Sequence, residues 1–189
     1  MSPTPRKLEI ITAASTLFKE KGYSAVTMRD IAKAMGIKAA SLYNHIKNKE
    51  EILTFIIISL AEEFIKGLDE IKNSDANCVE KLKQIIVLHV DIASKNTNGM
   101  ASLNNDWMHL KDQLDHYLYL RVDYENSFRD IIKEGILKNE IKNLNPDIML
   151  FSILSTLRSL YIWIPQKEDM EPSVLASNLS EVLLKGINK

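Results

Sequence analysis

Cysteine, glycine and proline are scarce in this chain of 189 residues, which contains one, six and five of them respectively. The single cysteine, Cys78, excludes a disulfide framework and a cysteine-rich zinc module. So few glycines and prolines exclude a fibrous or repeat-rich chain. With 46% hydrophobic and 26% charged residues, the composition is that of a globular protein that can bury a core.

Long apolar runs are also missing. The chain begins Met-Ser-Pro-Thr-Pro-Arg-Lys, without the apolar stretch of a secretory signal. Ile52–Ala61 has only ten residues and is bounded by glutamates, and Ile148–Ile164 has 17 and contains Arg158, whereas a membrane span needs about 20. Both are interpreted as buried helices of a soluble protein, and we expect a cytoplasmic location and no membrane partner.

A net excess of charge is absent from the whole chain but present locally. The total is 24 Lys and Arg against 25 Asp and Glu. Residues 1–50 hold nine basic and four acidic side chains, a net charge of +5, which leaves −6 on the remaining 139 residues. The chain is therefore a basic head on an acidic body. The basic head suits the binding of phosphates, and the acidic body would repel DNA but is also consistent with an ordinary solvated surface.

Strand signals are nearly absent, whereas apolar residues recur at helical spacing throughout the chain. We therefore predict an all-α protein of about nine helices. Gly22 and Gly36 are expected to end helices, and Thr27 with Asp30 has the form of a capping pair. The later helices are predicted at Lys49–Ile71, from Val79 to the loop Asn96–Gly99, and at Met100–Leu110, Asp112–Leu137, Pro146–Ile164 and Pro172–Ile187.

Two short helices in the basic head are joined by Met35-Gly36-Ile37-Lys38, which has the length and the glycine of a helix-turn-helix. In that motif the second helix enters the DNA major groove while the first braces the backbone. Leu42 and Ile46 are expected to face the core. The predicted outer surface of the second helix is small and polar, as groove binding requires: Ala39, Ala40, Ser41, Tyr43, Asn44 and His45.

At these residues the chain resembles the TetR family of transcriptional regulators. The family pattern has a Thr opening the brace helix, Ile-Ala inside it, a Gly-Val/Ile turn, Leu-Tyr and His-Phe around the recognition helix, and Lys-Glu-x-x-Leu starting the fourth helix. Ile46 stands where Phe is usual. The resemblance implies a three-helix DNA-binding domain at 1–48 and a helical ligand-binding and dimerisation domain at 49–189. The matching residues are Gly22, Thr27, Ile31-Ala32, Met35-Gly36-Ile37, Ser41-Leu42-Tyr43-Asn44-His45, Lys49-Glu50 and Leu53.

The resemblance also implies which residues contact DNA. Thr27, Tyr43, His45 and Lys49 match positions that hold the phosphate backbone, which provides affinity and register but no sequence information. Tyr43 alone is also consistent with a packing residue. Base reading falls to Lys38, Ala39, Ala40 and Asn44. The chain departs from the family at the first three, for example with Lys38 in place of a capping Ser. The full expected set is Thr27, Arg29, Lys38, Ala39, Ala40, Ser41, Tyr43, Asn44, His45 and Lys49.

The body is expected to bind a small-molecule effector. In the family such a ligand shifts the fourth helix and releases DNA, and Lys49–Ile71 fits that connecting helix. Arg158 lies in an otherwise apolar helix, so we expect it to pair with an acidic ligand group or with an acidic side chain at a dimer contact. The candidate pocket residues, each also consistent with plain core, are His89, Asn104, Trp107, Tyr117, Tyr124, Phe128, Arg158 and Tyr161.

The last two helices are apolar on more than one side, which favours a four-helix dimer interface, as the resemblance also implies. The alternative is intramolecular core. A twofold dimer would read two half-sites about 34–36 Å apart or a multiple of that distance. The expected interface residues are Phe151, Leu154, Leu157, Tyr161, Leu175, Leu179 and Leu183.

Catalytic motifs are missing: there is no Gly-rich phosphate loop, no Gly-x-Ser-x-Gly and no His-Glu-x-x-His. We expect no enzyme, no cofactor and no metal. His109, Asp112 and His116 have a spacing that suits metal ligands on one helix face, but a helix boundary near Lys111 favours a solvated surface. The predicted function is a dimeric repressor released from operator DNA by a small molecule. The alternative is a DNA-binding regulator that responds to a protein partner.

Overall fold

The computed structural model describes residues 3–167 and 169–185. Within these residues the regular secondary structure is helical and contains no strand, which confirms the predicted all-α class. Since α8 and α9 are separated by Ser159 alone, the described helices match the predicted number of about nine. They are α1 (Pro5–Lys21), α2 (Met28–Ala34), α3 (Ala39–Leu42), α4 (Lys49–Lys72), α5 (Cys78–Lys95), α6 (Thr97–Asn105), α7 (Leu114–Leu137), α8 (Pro146–Arg158), α9 (Leu160–Trp163) and α10 (Pro172–Lys185).

Polar side chains determine where five of the helices begin. In each case a side-chain oxygen accepts a hydrogen bond from a backbone N–H of the first turn, which would otherwise have no intrahelical partner. The predicted cap Thr27 is confirmed in this role. The five capping residues are Thr4, Thr27, Asn48, Asn77 and Asn145.

The start and end of α6 differ from the prediction. This helix begins at Thr97 rather than Met100, so that Asn96 alone separates it from α5. It ends at Asn105, and the stretch predicted to continue as helix to Leu110 instead contains a 3-10 turn at Trp107–His109. A second 3-10 turn follows before α7. All of the predicted loop except Asn96 is therefore helical, and the irregular segment lies about ten residues further along the chain.

The predicted helix Pro146–Ile164 is interrupted at Ser159. The hydroxyls of Ser152, Thr156 and Ser159 each donate a hydrogen bond to the carbonyl four residues earlier. Such bonds compete with the helical ladder and bend helices. The predicted end of the last helix, Ile187, lies outside the described residues.

The helices form two compact units. The head unit contains the chain up to Ala61 together with Asn98–Tyr117, and the body unit contains Glu62–Thr97 together with the chain from Leu118 onward. Helices α4 and α7 each begin in the head unit and end in the body unit. The head unit thus contains a segment from the middle of the chain, in addition to the residues 1–48 that the sequence assigned to DNA binding.

Each unit has its own apolar core. In α1, Ile10, Ala14 and Phe18 recur every four residues and are almost completely buried in the head unit. Removing one such large side chain from water stabilises the fold by about 1.5–3 kcal/mol. In the body unit the corresponding side chains are Phe64, Leu68, Leu82, Ile85, Ile86, Phe128, Ile132 and Leu157.

The apolar stretch Pro146–Gln166 is less buried than predicted. With a mean hydropathy of 1.5, this stretch is long and apolar enough to cross a membrane. Of its 18 most apolar consecutive residues, 33% are buried inside the protein. The sequence interpretation of a buried helix is therefore corrected, because much of this apolar surface points outward from the body unit.

Candidate nucleic-acid interface

Helices α2 and α3 form the helix-turn-helix, and a capping box opens the first of them. The Asp30 backbone N–H donates to the Thr27 hydroxyl at 3.2 Å, and the Thr27 backbone N–H donates to the Asp30 carboxylate at 2.8 Å. The Thr27 hydroxyl also donates to this carboxylate, at 2.6 Å. These bonds, together with the charges of Lys21 and Lys33, hold the pKa of Asp30 below its ordinary value. The start of the brace helix is therefore well determined.

The turn between the two helices depends on a glycine. Gly36 has a φ of +66°, a left-handed conformation that side chains disfavour. Lys38 begins α3 without a side-chain cap, as expected of a lysine. Helix α3 ends at Leu42, earlier than the predicted His45, and a turn follows. The side chains of Leu42 and Ile46 are buried, as predicted.

Most of the predicted DNA-contact residues lie on the surface of this motif. The ring of Tyr43 is 55% exposed, which argues against the alternative of a packing tyrosine. Ala39 is half-buried. Two exposed lysines of the same motif, Lys33 and Lys47, were not predicted as contacts, although their charges were counted in the basic head. The exposed predicted residues are Thr27, Arg29, Lys38, Ala40, Ser41, Tyr43, Asn44 and His45.

Lys49 contacts the turn that precedes α2. Its Nζ donates to the backbone carbonyls of Tyr23 at 2.8 Å, Val26 at 3.0 Å and Ser24 at 3.4 Å. It also lies 4.3 Å from the centroid of the Tyr23 ring. An ammonium group has three N–H donors, and all three have protein acceptors in this arrangement. The Lys49 ammonium group is thus engaged by the protein itself in this structure, and its contact with a phosphate stays a prediction.

The segment that follows α6 contacts the same turn. The His109 ring stacks on the Tyr23 ring with a centroid distance of 5.1 Å and an interplanar angle of 30°. Burial raises the pKa of Asp106, and the backbone N–H of Tyr23 acts in the opposite direction. Lys111, whose φ of +43° is in the left-handed region, forms an ion pair with Glu50 at 2.6 Å. Sequence reasoning missed this cluster because its members come from distant parts of the chain.

The metal hypothesis for His109, Asp112 and His116 finds no geometric support. The two 3-10 turns place a break before α7 begins at Leu114, so the three side chains do not share one helix face. In the part of the chain that the structure describes, no group of three metal-competent side chains comes together.

In the body unit, three of the predicted pocket residues meet in a buried aromatic cluster. His89 Nε2 and the Tyr124 hydroxyl are 2.8 Å apart, and the His89 ring lies 4.5 Å from the Phe64 ring. Phe128 contacts Tyr124 edge to face. Burial, reinforced by the nearby positive charge of Arg158, lowers the pKa of His89 to about 3. Burial raises the pKa of Tyr124, so both groups are neutral at physiological pH.

Arg158 pairs with an acidic side chain, but within its own chain. Its guanidinium donates to Glu125 at 2.6 Å, and Arg121 reaches the same carboxylate oxygen at 3.3 Å. Burial raises the pKa of Glu125, but the hydrogen bonds and charges of the two arginines outweigh burial and lower it overall. The expected acidic side-chain partner is thus Glu125 of the same chain, and its place at a dimer contact stays a prediction.

The other candidate pocket residues do not join this cluster. Asn104 donates to the Met100 carbonyl at 2.8 Å, and the Trp107 and Tyr117 rings lie 6.0 Å apart, all within the head unit. Tyr161 is half-buried in the body unit. The eight predicted residues therefore divide between the two units, with the buried polar pair His89 and Tyr124 in the body unit.

Three predicted dimer residues lie in the core of the body unit. Leu154, Leu157 and Leu175 are buried within the chain and cannot meet a partner, which corrects their assignment. Leu179 and Leu183 are half-buried, and the side chain of Phe151 is 73% exposed. A groove of about 590 Å³ lies between α8, α9 and α10, lined by Ser155, Thr156, Ser159, Leu160, Trp163, Leu175 and Leu179. Other exposed apolar side chains on these helices are Ile148, Ile162, Val174 and Val182.

A helical chain with an exposed, polar helix-turn-helix surface in a basic segment defines a DNA-binding transcriptional regulator. Residues 10–54 match the family of bacterial regulatory proteins called tetR, and residues 75–187 match the tetracyclin repressor-like C-terminal domain. The chain belongs to the TetR family of transcriptional regulators, which confirms the resemblance found in the sequence.

Similar proteins extend this comparison over the full chain. The fatty acid metabolism regulator protein of Bacillus subtilis is 26% identical, over 97% of this chain and 96% of its own. The transcriptional repressor KstR2 of Mycolicibacterium smegmatis is 22% identical over 99% of this chain and 93% of its own. The solved structure of the ketosteroid transcriptional regulator KstR2 of Mycobacterium tuberculosis has a TM-score of 0.93 at 21% identity, covering 100% of this chain and 97% of that one. At this identity the structural likeness shows the fold.

Proposed function

We propose that this protein is a dimeric repressor that binds operator DNA through α2 and α3 and is released when a small molecule binds the body unit. The observation that carries the proposal is the exposed surface of α3 and the turn after it, within a segment whose net charge is +5. Tyr43 and His45 are assigned to the phosphate backbone, and Lys38 and Asn44 to base edges. The cytoplasm is the compartment in which such a protein would meet bacterial operator DNA.

The exposed apolar surface of α8 and α10 supports dimerisation. Phe151, Ile148 and Val182 are each more than 60% exposed, and contiguous apolar surface of this kind marks interaction sites. Packing these two helices against their copies would bury that surface and complete a four-helix interface. Sedimentation at micromolar concentration tests this step, and a monomer would contradict it.

The body unit is the proposed effector site. Polar groups inside an apolar lining are typical of ligand pockets, and His89 Nδ1 is a buried nitrogen without a hydrogen-bond partner among the described residues. The names of the relatives refer to fatty acid metabolism and to ketosteroids, so fatty acid and steroid derivatives are the first compounds to test. A ligand can act on the head only through differential affinity for two conformations, and the continuous helices α4 and α7 lead from one unit to the other.

One experiment separates this function from its alternative. The operator is first selected from a random duplex pool, and a gel shift is then repeated with each candidate compound. Release of DNA by a compound supports the small-molecule mechanism. Specific binding that no compound reverses favours the second candidate, a regulator that responds to a protein partner, and failure to select any sequence contradicts both.

A further inference from the structure

We propose that Lys49 and His109 are positioning residues, which hold the turn before the brace helix in the geometry that binds DNA. The turn is the 3-10 segment Tyr23–Ala25, between α1 and Thr27. We call Tyr23, Lys49, Asp106 and His109 the Tyr23 cluster. Lys49 then holds the turn instead of contacting a phosphate, and His109 contributes to DNA binding by holding the same turn.

The hydrogen bonds of Lys49 support this assignment. Its Nζ donates to three backbone carbonyls of the same turn, those of Tyr23, Ser24 and Val26, at 2.8–3.4 Å. A phosphate contact would require Lys49 to leave these carbonyls and the Tyr23 ring. Carbonyls at the end of a helical turn carry partial negative charge, so a cation there contributes stability that leaving would forfeit.

The other side chains of the Tyr23 cluster hold the same turn by different contacts. Tyr23 is almost fully buried, its ring stacks on His109 at 5.1 Å, and its backbone N–H lowers the pKa of Asp106 against the larger effect of burial. Stacked ring pairs contribute beyond the area that they bury. The ion pair between Lys111 and Glu50 connects the segment that follows α6 with the first turn of α4.

The position of the turn determines the position of the brace helix. Val26 ends the turn, and Thr27, the next residue, caps α2, so a displacement of the turn carries the brace helix with it. Because α2 and α3 are joined by a four-residue connection, the recognition helix would move as well. Loss of the Tyr23 cluster should therefore weaken DNA binding without removing a phosphate contact. This inference rests on the DNA binding of the proposed function.

Salt dependence separates a positioning residue from a phosphate contact. Each lost phosphate contact reduces the slope of log K against log salt by about 0.9 per protomer. We would measure the affinity of the full chain for a random-sequence duplex between 50 and 200 mM salt, comparing Lys49→Met with the matched control Lys47→Met, which removes an exposed lysine nearby. For Lys49→Met we expect the affinity to fall by about threefold or more, while the slope of log K against log salt falls by less than half of 0.9. A fall in this slope by about half of 0.9 or more overturns the proposal.

Hydrogen exchange tests the Tyr23 cluster independently of DNA. The Val26 amide donates to the Tyr23 carbonyl in the turn, and we expect it to exchange at least about fivefold faster in His109→Ala. His109→Phe, which keeps a stacking ring, should restore the slower rate, and His116→Ala, at an exposed site, should match the unchanged chain. Unchanged exchange in His109→Ala overturns the proposal, even if Lys49→Met fails to fold. If the unchanged chain binds no duplex, the proposed function fails. The exchange result still decides whether His109 holds the turn.

Discussion

The buried histidine of the body unit makes stability depend on pH in a way that can be predicted. His89 is fully enclosed, and its pKa is lowered from 6.5 to about 3. In the unfolded chain the same imidazole takes up a proton as pH falls through 6.5, whereas in the folded protein it stays neutral until about pH 3. The unfolded state therefore binds more protons between these values, and the free energy of unfolding falls as pH is lowered.

The size of the effect follows from the two pKa values. Each pH unit well inside the window between them costs about 1.4 kcal/mol. At pH 7 the histidine is mostly neutral in both states, so the loss there is small. Lowering the pH from 7 to 5 should remove about 2 kcal/mol of stability through His89 alone. This is a substantial part of the total stability of a typical domain.

Urea denaturation at pH 7 and pH 5, at one fixed protein concentration, measures this loss. The test variant is His89→Gln, which can still hydrogen-bond the Tyr124 hydroxyl but does not titrate, and the control is His116→Gln at an exposed site. We expect the variant to lose about 2 kcal/mol less between the two pH values than the unchanged chain or the control. Equal losses in all three proteins would refute the reasoning, because they would show that His89 is not held neutral by burial.

Three further predictions concern packing, DNA recognition and assembly. Gly135→Ala should destabilise the protein by about 1–3 kcal/mol in urea denaturation, because a Cβ there would lie 2.5 Å from the nearest side-chain atom and 2.9 Å from a neighbouring Cβ. Gly67→Ala meets only the flexible end of a leucine at 2.7 Å and should cost less. Tyr43→Ala should weaken binding to operator and random DNA by similar factors, whereas Asn44→Ala should change the selected sequence, and equal effects on both DNAs would contradict base reading by Asn44. Phe151→Asp should give a folded monomer in sedimentation, and a stable dimer would place the interface elsewhere.

The helix-turn-helix could be read from the sequence because its stabilising contacts are local. Thr27 caps α2 through Asp30, three residues away, and Asn48 caps α4 through Glu51 at the same spacing. Gly36 marks the turn because its backbone conformation excludes most other residues. Each of these signals lies within a few residues of its partner, so the order of the chain already contains it.

The inward side of the later helices could not be predicted in the same way. Helix α8 is apolar around most of its circumference, so its periodicity does not tell core from surface. Leu154 and Leu157 face the interior, while Phe151 and Ile148 face outward. Phe151, Leu154 and Leu157 were all predicted at a dimer interface, and only the packing of neighbouring helices distinguishes them.

The sequence by itself determined the all-α class and the helix-turn-helix, since helical periodicity, caps and turn residues act over three or four positions. The resemblance at the residues of that motif indicated the family. The tertiary structure decided the partners of Lys49, His109 and Arg158, which lie 26, 86 and 33 residues from the groups that they contact. A charged or aromatic side chain can reach any group that folding brings within a few ångströms. Its role therefore depends on which helices, distant in sequence, pack together within each unit. No local sequence pattern encodes this packing.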